Sequence, residues 1–502
     1  MSSPRPSTLP TGFGEATRSW FDAVFEQPTP AQTAAWQAIG SGEHSLVIAP
    51  TGSGKTLAAF LHCLDRLVRE PGKVRVLYVS PLKALAVDVE RNLRAPLRGI
   101  QLASERLGLP TPEVRVAVRS GDTPASERRR MLTHPPDVLI TTPESLFLML
   151  ASQVGQTLDG VETIIVDEVH ALAGTKRGAH LAVSLERLAA MSAEGHDPQR
   201  IGLSATVSPA ERVADFLGGD RPVTIVRPPS TKSWHLDVEV PLDDMTDLSR
   251  PPVAAGATET DGPERPPSNS IWPFLEQRIL ELVDDHRSTI CFVNSRRVAE
   301  RLTSHLNDLH TARLDPEART APSNSPAQVM AQSGASSGND GHRVPVIARA
   351  HHGSVSKDRR LEIETELKSG RLACVVATSS LELGIDMGSV DLVIQVGSPP
   401  SVANGLQRIG RAGHQVGAVS EGVLLPTHRG DLLESAVVAT RMNSGDIEPV
   451  AALRNPLDVL AQHLVAMGID TNLPVEDAWY LLRRSDPFRA LPRSAFEGEL
   501  DM

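Results

Sequence analysis

Ala49-Pro50-Thr51-Gly52-Ser53-Gly54-Lys55-Thr56 follows the apolar run Ser45-Leu46-Val47-Ile48 and precedes the helical run Leu57-Ala58-Ala59-Phe60-Leu61. A strand that feeds a glycine-rich loop into a helix N-terminus aims several backbone N–H groups at one point, where a polyphosphate fits. Thr51, Gly52, Ser53 and Gly54 then form the cradle. Lys55 reaches the β- and γ-phosphates, and the Thr56 hydroxyl sits on Mg2+. The usual string begins with Gly, and Ala49 takes that slot here. The tight part, Gly52 to Thr56, is intact. The stretch therefore reads as a site for a nucleoside triphosphate with Mg2+.

Outward from this loop, short β-branched runs alternate with helical stretches from Phe21 to about residue 235. The runs are Leu46-Val47-Ile48, Val74 to Val79, Val138-Leu139-Ile140, Thr163 to Val166 and Ile201-Gly202-Leu203. Continuous apolar strands separated by helices predict a parallel sheet covered on both faces. Residues 236–270 are rich in Pro, Asp, Gly and Thr and read as a linker. A second alternating block spans 271–440, with strands expected at Ser288 to Val293, Val346 to Arg349, Leu372 to Val376 and Asp391 to Val396. Within it, residues 311–343 are Ser/Ala/Pro/Asn/Gly-rich and read as a disordered insert. Residues 1–20 are Pro/Ser/Thr-rich and are expected to be a poorly ordered tail. Residues 441–502 turn helical, and the absence of a capping signal before Met502 suggests a chain cut within a domain.

Composition narrows the classes. With 502 residues and 40% apolar content, two or three soluble domains are expected. No apolar run approaches the ~18 residues of a membrane span. Met1-Ser2-Ser3-Pro4-Arg5-Pro6 has no secretory core. Cys63, Cys291 and Cys374 are too scattered for a metal set, which points to buried reduced thiols in a cytoplasmic protein. His351-His352 is a poor metal candidate for the same reason. The net charge of −11 at first argues against a nucleic-acid partner. Binding depends on local patches, however, and residues 241–270 alone hold six acidic and two basic residues. There are 43 arginines against seven lysines. In that background Lys55 and Lys83 stand out.

A phosphate cradle needs a carboxylate for the metal and a base for water. Asp167-Glu168-Val169-His170 follows the strand Ile164-Ile165-Val166. Asp167 suits the Mg2+ role and Glu168 the water-positioning role. Ser204-Ala205-Thr206 ends the next strand, where its hydroxyls are placed to link the nucleotide to a second site.

Together with Pro81 to Leu85, Thr141 to Leu146, Phe292 to Arg296, Ala377 to Asp386 and Gln407 to His414, these strings resemble the ordered motif set of superfamily 2 helicases over roughly residues 25–420. The Asp-Glu-Val-His box, Ser380-Leu381-Glu382-Leu383-Gly384-Ile385-Asp386-Met387-Gly388 and the ending Arg411-Ala412-Gly413-His414 resemble the large helicase-related (Lhr) family most. The resemblance implies two RecA-like α/β domains, at 21–235 and 271–440, followed by the start of a winged-helix domain at 441–502. It implies an ATP-dependent translocase moving 3′ to 5′ on single-stranded DNA and unwinding DNA or RNA–DNA duplexes, with RNA a further candidate partner and DNA repair the expected setting.

Carried over position by position, the resemblance makes Gln32 the reader of the adenine edge, and Asp386 a nucleotide contact. Gln407 and Arg411 face the γ-phosphate, where an arginine stabilises transition-state charge. His170, Ser204, Thr206, Arg408 and His414 couple the sites; many superfamily members have Arg where His414 stands. Lys83, Thr142, Ser295, Arg296 and Thr378 match contacts to the nucleic-acid backbone, which fix register without reading bases. Arg128-Arg129-Arg130 reads instead as a solvated helix face. Two other readings stay open. One is a DEAD-box-like local RNA unwinder that does not translocate. The other is an ATP-gated clamp that grips nucleic acid without motor output.

Overall fold

The computed structural model describes residues 8–50, 52–70, 76–111, 113–192, 197–229, 233–245, 248, 270–314, 346–384, 387–388, 390–413, 419–470 and 473–502. It divides into two compact units, Met1–Ser230 with Pro449–Met502, and Thr231–Glu448.

The first unit carries a seven-stranded sheet: β1 (Ser45–Ile48), β2 (Val76–Val79), β3 (Val116–Arg119), β4 (Val138–Thr141), β5 (Thr163–Val166), β6 (Gln199–Ser204) and β7 (Thr224–Val226). Their order is β3-β4-β2-β5-β6-β1-β7, and every pairing is parallel. The apolar strands explain the arrangement. Val47, Tyr78, Ile140, Ile165 and Leu203 enter the core on one face, while Leu46, Ile48, Leu77, Leu139 and Ile164 enter that on the other. Alternate residues point to opposite faces, so a strand apolar at every position must be covered twice.

The second unit repeats the plan with β8 (Trp234–Val238), β9 (Thr289–Phe292), β10 (Ala348–His351), β11 (Cys374–Ala377), β12 (Leu392–Val396) and β13 (Ser420–Leu425). The order is β10-β11-β9-β12-β13-β8, again all parallel. In both sheets the loops after the strands gather at one edge, which is where open parallel sheets place ligands.

Several sequence boundaries move. Within the expected tail at 1–20, described from residue 8, the chain packs: Glu15–Val24 is helical, and Leu9, Phe13, Trp20 and Phe21 join the first core. Phe13 and Phe21 meet Trp36, with ring centroids 5.3 and 5.7 Å from it. The composition hid them among Pro, Ser and Thr. The first domain was expected to end at 235, yet Trp234 already pairs with Ser420 in the second sheet. The linker's first part also packs: the Glu239 N–H donates to Leu424 O at 3.0 Å, and Leu242, Met245 and Leu248 lie against the second core. Thr311–Leu314, placed in the insert, finish the helix Arg296–Leu314, and 315–345 lie outside the described residues.

In the C-terminal region the boundary between the two units falls a few residues past the expected division at 441. Helix Arg429–Ser444 runs through it within the second unit, and from Pro449 the chain belongs with the first. There the Val450 N–H donates to Ser208 O at 2.8 Å. Helices Leu457–Asp470, Val475–Arg484 and Arg493–Leu500 build a small core of Leu460, Trp479, Leu482, Phe488 and Phe496 around Ala179 and Val183 of helix Lys176–Met191.

Candidate functional site

β1 ends at Ile48, and helix Lys55–Arg69 begins seven positions later with Gly54 as its N-cap at φ 79° and ψ 22°. That left-handed backbone favours glycine. Space demands it as well, since a Cβ on Gly54 would lie 2.5 Å from Gln32 Nε2. Gln32 is 5% exposed. Its Nε2 donates to Gly54 O at 3.5 Å, and its Oε1 accepts the Thr29 N–H at 3.0 Å. The Thr29 hydroxyl donates to Ser53 O at 2.9 Å. Gln32 therefore sits against the cradle as a brace, half of a capping box.

Register brings the other motifs to this loop. Ile48 pairs with Ser204, and the Ala49 N–H donates to Ser204 O at 3.1 Å. Lys55 Nζ donates to the same carbonyl at 3.2 Å. Asp167 follows β5, and its N–H donates to Val79 O at 2.9 Å. One carboxylate oxygen accepts the Glu168 N–H at 2.9 Å, and the other accepts the Tyr78 hydroxyl. Tyr78 is buried and stacks on Phe60 at 5.1 Å. Sequence reading missed it because it lies inside an apolar strand.

Burial and the Glu168 charge push Asp167 up to about 7, against the pull of the Tyr78 hydrogen bond and Lys55. Glu168 stands at φ 44°, an uncommon conformation for a residue with a side chain. Two adjacent buried carboxylates, one strained in backbone and one raised in pKa, suit a divalent cation. The Thr56 hydroxyl and Asp167 are the residues that would hold it.

His170 closes the cluster. The Ala205 N–H donates to its Nδ1 at 3.3 Å, which assigns the ring proton to Nε2. The Ser204 hydroxyl lies 3.2 Å from the same Nδ1, and Glu168 Oε2 at 3.5 Å. Burial holds His170 below its ordinary value, so the ring is neutral near pH 7. Thr206 is half-buried at the end of this turn.

The remaining nucleic-acid candidates on this unit separate. Lys83 Nζ pairs with Asp122 at 2.6 Å on an exposed rim. Thr142 is buried and caps helix Pro143–Leu150 with its hydroxyl. Arg128 donates to the carbonyls of Thr123 and Gly121 at 2.8 Å each, on a helix with no buried residue. It holds the loop after β3.

In the second unit, β10, β11 and β9 end abreast, with His351 beside Ala377 and Ala377 beside Phe292. The loops that follow carry Ser354, Thr378, Ser295 and Arg296. Arg296 Nη1 donates to the Ser354 hydroxyl at 2.9 Å. Ser295 caps its helix by accepting the Val298 N–H at 3.2 Å. Ser354 is an exposed hydroxyl that sequence reading passed over, although it follows its strand as Ser295 follows β9.

Gln407, Arg408 and Arg411 lie on and just beyond helix Val402–Ile409. Gln407 is half-buried. Arg408 donates from Nε to Glu382 Oε1 at 2.7 Å and from Nη1 to Gln395 Oε1 at 2.8 Å. Arg411 is 1% exposed and donates from Nη2 to Glu382 O at 2.9 Å. Thr51, Asp386 and His414 lie outside the described residues.

Among the described residues no group of three or more His, Cys, Asp or Glu is placed to hold a metal ion. His351 and His352 face Glu364 and Glu300 at 3.2 and 2.6 Å. The cysteines are free and buried, and burial pushes Cys63 and Cys374 up to about 12, so the thiols are unreactive. No helix among the described residues is long and apolar enough to cross a membrane.

Three family models match the chain: "DEAD/DEAH box helicase" at 29–214, "Helicase conserved C-terminal domain" at 339–415, and "Large helicase-related protein, winged helix domain" at 440–502. This chain belongs to the large helicase-related family of superfamily 2 helicases. Within that family it is 58% identical to the Lhr helicase/probable uracil glycosylase of Mycolicibacterium smegmatis over 98% of this chain and 32% of the relative. It is 53% identical to the Lhr helicase/uracil glycosylase of Escherichia coli over 99% of this chain and 33% of the relative. The chain thus spans about a third of the length of these two Lhr relatives. The structure of Mycobacterium smegmatis helicase Lhr bound to ssDNA and AMP-PNP superposes with a TM-score of 0.85 and 56% identity, covering 98% of this chain and 57% of that one. The helicase MrfA bound to DNA and AMPPNP matches with a TM-score of 0.69 at 22% identity over 95% of this chain and 59% of that one, a likeness of fold.

Proposed function

We propose that this chain is the motor part of an ATP-dependent helicase that works in the cytoplasm, tracks 3′ to 5′ on single-stranded DNA and unwinds DNA or RNA–DNA duplexes, in DNA repair. The observation that carries the reading is the meeting at Ser204. Its carbonyl receives Lys55 from the phosphate loop, and its hydroxyl lies against His170 from the carboxylate turn. A phosphate-binding lysine and a hydrolytic carboxylate pair joined through one strand end can report nucleotide state to the rest of the unit. The relative of known structure that holds ssDNA and AMP-PNP supports the choice of ligands.

In this mechanism the loop from Gly52 to Gly54, Lys55 and Thr56 hold the triphosphate of ATP. Thr56 and Asp167 would hold Mg2+, which would offset charge on the phosphate oxygens. Glu168 positions and deprotonates the attacking water. Gln407 and Arg411 serve the γ-phosphate, where Arg411 supplies positive charge to the transition state. Gln32 contacts the adenine while bracing the cradle, since its amide keeps unused donor and acceptor capacity. Lys83, Ser295, Arg296 and Thr378 grip the sugar–phosphate backbone, so binding falls steeply with salt and reads little sequence. Phosphate competes with Asp122 for Lys83.

The decisive measurement is ATP hydrolysis with and without single-stranded DNA. Stimulation by the strand is expected, and equal rates would sink the motor reading. Unwinding of 3′-tailed and 5′-tailed duplexes, in DNA and hybrid form, then tests polarity and substrate. Strand-stimulated hydrolysis with no unwinding of either would leave a clamp.

A further inference from the structure

Glu382 has no role in the scheme above, yet three groups converge on it, two of them the buried Arg408 and Arg411. It lies just after β11, at the end of the short turn Ser379–Leu381, and is largely buried. Its Oε1 accepts from both Nε and Nη2 of Arg408. Its Oε2 accepts from Asn404 Nδ2 at 3.2 Å. Its carbonyl accepts from Arg411 Nη2 at 2.9 Å. One residue therefore fixes both arginines, Arg408 through the side chain and Arg411 through the main chain.

Arg408 is fully committed. Beyond Glu382 it donates to Asn294 Oδ1 at 3.0 Å and to Gln395 Oε1, and it lies 5.3 Å from the Phe292 ring centroid. Asn294 in turn donates to Ser398 O at 2.8 Å and directly precedes Ser295 and Arg296. An unbroken chain of contacts thus runs from the loop that holds the proposed nucleic-acid grips, through Asn294 and Arg408, to Glu382 and its hold on Arg411.

We infer that Glu382 is a positioning residue for hydrolysis: its anchored side chain sets the carbonyl that aims Arg411, and it ties that aim to the nucleic-acid loop. The inference rests on the reading that Arg411 serves the γ-phosphate. Side chain and carbonyl belong to one residue, so a shift of Arg408 or Asn294 moves the Arg411 contact through covalent geometry. Good aim matters because a charge displaced from the transition state loses most of its effect.

Glu382→Asp tests this. It keeps the charge and retracts the carboxylate by about 1.5 Å, one carbon–carbon bond. Strand-stimulated kcat is expected to fall at least about tenfold, while the KM for ATP and the Kd for single-stranded DNA stay within about threefold. Wild-type kcat in a variant with wild-type melting temperature overturns the inference. If Glu382→Asp fails to fold, Glu382→Gln, which keeps the length and an acceptor for Arg408, is read against the same expectations. Unfolding of both assigns Glu382 to stability alone and overturns the inference equally. Arg411→Ala separates the two readings. Wild-type turnover there sinks the role of Arg411 itself, whereas an inactive Arg411→Ala beside an unaffected Glu382→Asp sinks only the role of Glu382.

Discussion

The two sheets share a plan, and their carboxyl edges use charge in opposite ways. At the first edge Asp167 and Glu168 stand side by side in a buried place, and Asp167 is pushed up to about 7 in consequence. At the second edge the buried Arg408 is matched by the buried Glu382 and by two amide oxygens. Two like charges held side by side in a buried place cost free energy, and a bound cation offsets that cost. Balanced buried charge holds a shape. On the proposed reading, the contrast is between a place that binds and a place that aims.

The largest effect tests the binding side. Lys55→Ala and Asp167→Ala should each reduce strand-stimulated phosphate release by roughly a thousandfold. Neither should lower the melting temperature much. Near-normal turnover in either refutes the site.

Arg408→Ala should do the reverse. Removing one partner of a buried pair leaves a carboxylate without its cation and costs about 3–5 kcal/mol. Urea unfolding followed by hydrogen exchange should show the loss in β9, β11 and β12, with the first unit unchanged. A stable second unit in Arg408→Ala would erase the distinction between the two edges.

Asp167→Asn sharpens it further. The folded-state value of Asp167, about 7, lies above the unfolded carboxylate range of ~3.9. The folded state therefore holds the extra proton between these values, and the first unit loses stability as pH rises from about 4 to about 7. Without Mg2+ at pH 8, Asp167→Asn should melt higher, by an amount on the order of 1 kcal/mol, while hydrolysis is lost. An unchanged or lower melting temperature would mean that the carboxylate pair carries no strain.

The smallest expected effect concerns a third buried charge site. His463 of helix Leu457–Asp470 is fully buried, with its Nε2 3.2 Å from His180 O, and it faces His180, Arg187 and the Phe147 ring. Burial, then His180 and Arg187, holds it well below its ordinary value. The folded value lies under the unfolded one of ~6.5, so the C-terminal helices should loosen as pH falls below that value. Proteolysis within 457–500 should accelerate from pH 7.5 to 5.5, by a few-fold at most. His463→Phe should flatten that response, and an equally steep response would remove His463 as its cause.

Much of this was legible in the residues. β1, β4 and β5 are apolar at nearly every position, which only a sheet covered on both faces can accept, so the parallel architecture showed through. Of the four edge strands only β10 was expected. β3 is half-buried along its length and ends in Arg119, and β8 alternates Trp234, His235, Leu236, Asp237 and Val238, so neither reads as a buried run. Leu9 and Phe13 were masked by their polar neighbours. Lys55, Asp167, Glu168 and Ser204 could be proposed from the sequence because phosphate and metal chemistry demands particular residue types beside particular strand ends. Tyr78 and Glu382 were not, because an aromatic in a strand and an acid in a turn have many ordinary uses.

The sequence by itself determined most of the elements, the glycine-rich loop before helix Lys55–Arg69 and the carboxylates after β5. Those depend on local backbone geometry and on side-chain chemistry within a few residues. Only the tertiary structure decided that Arg408 and Arg411 both bond to Glu382, that Gln32 braces Gly54, and that residues from Pro449 onward join the first unit. Each of these depends on partners far apart in the chain, brought together by strand order and register, and no local pattern encodes them.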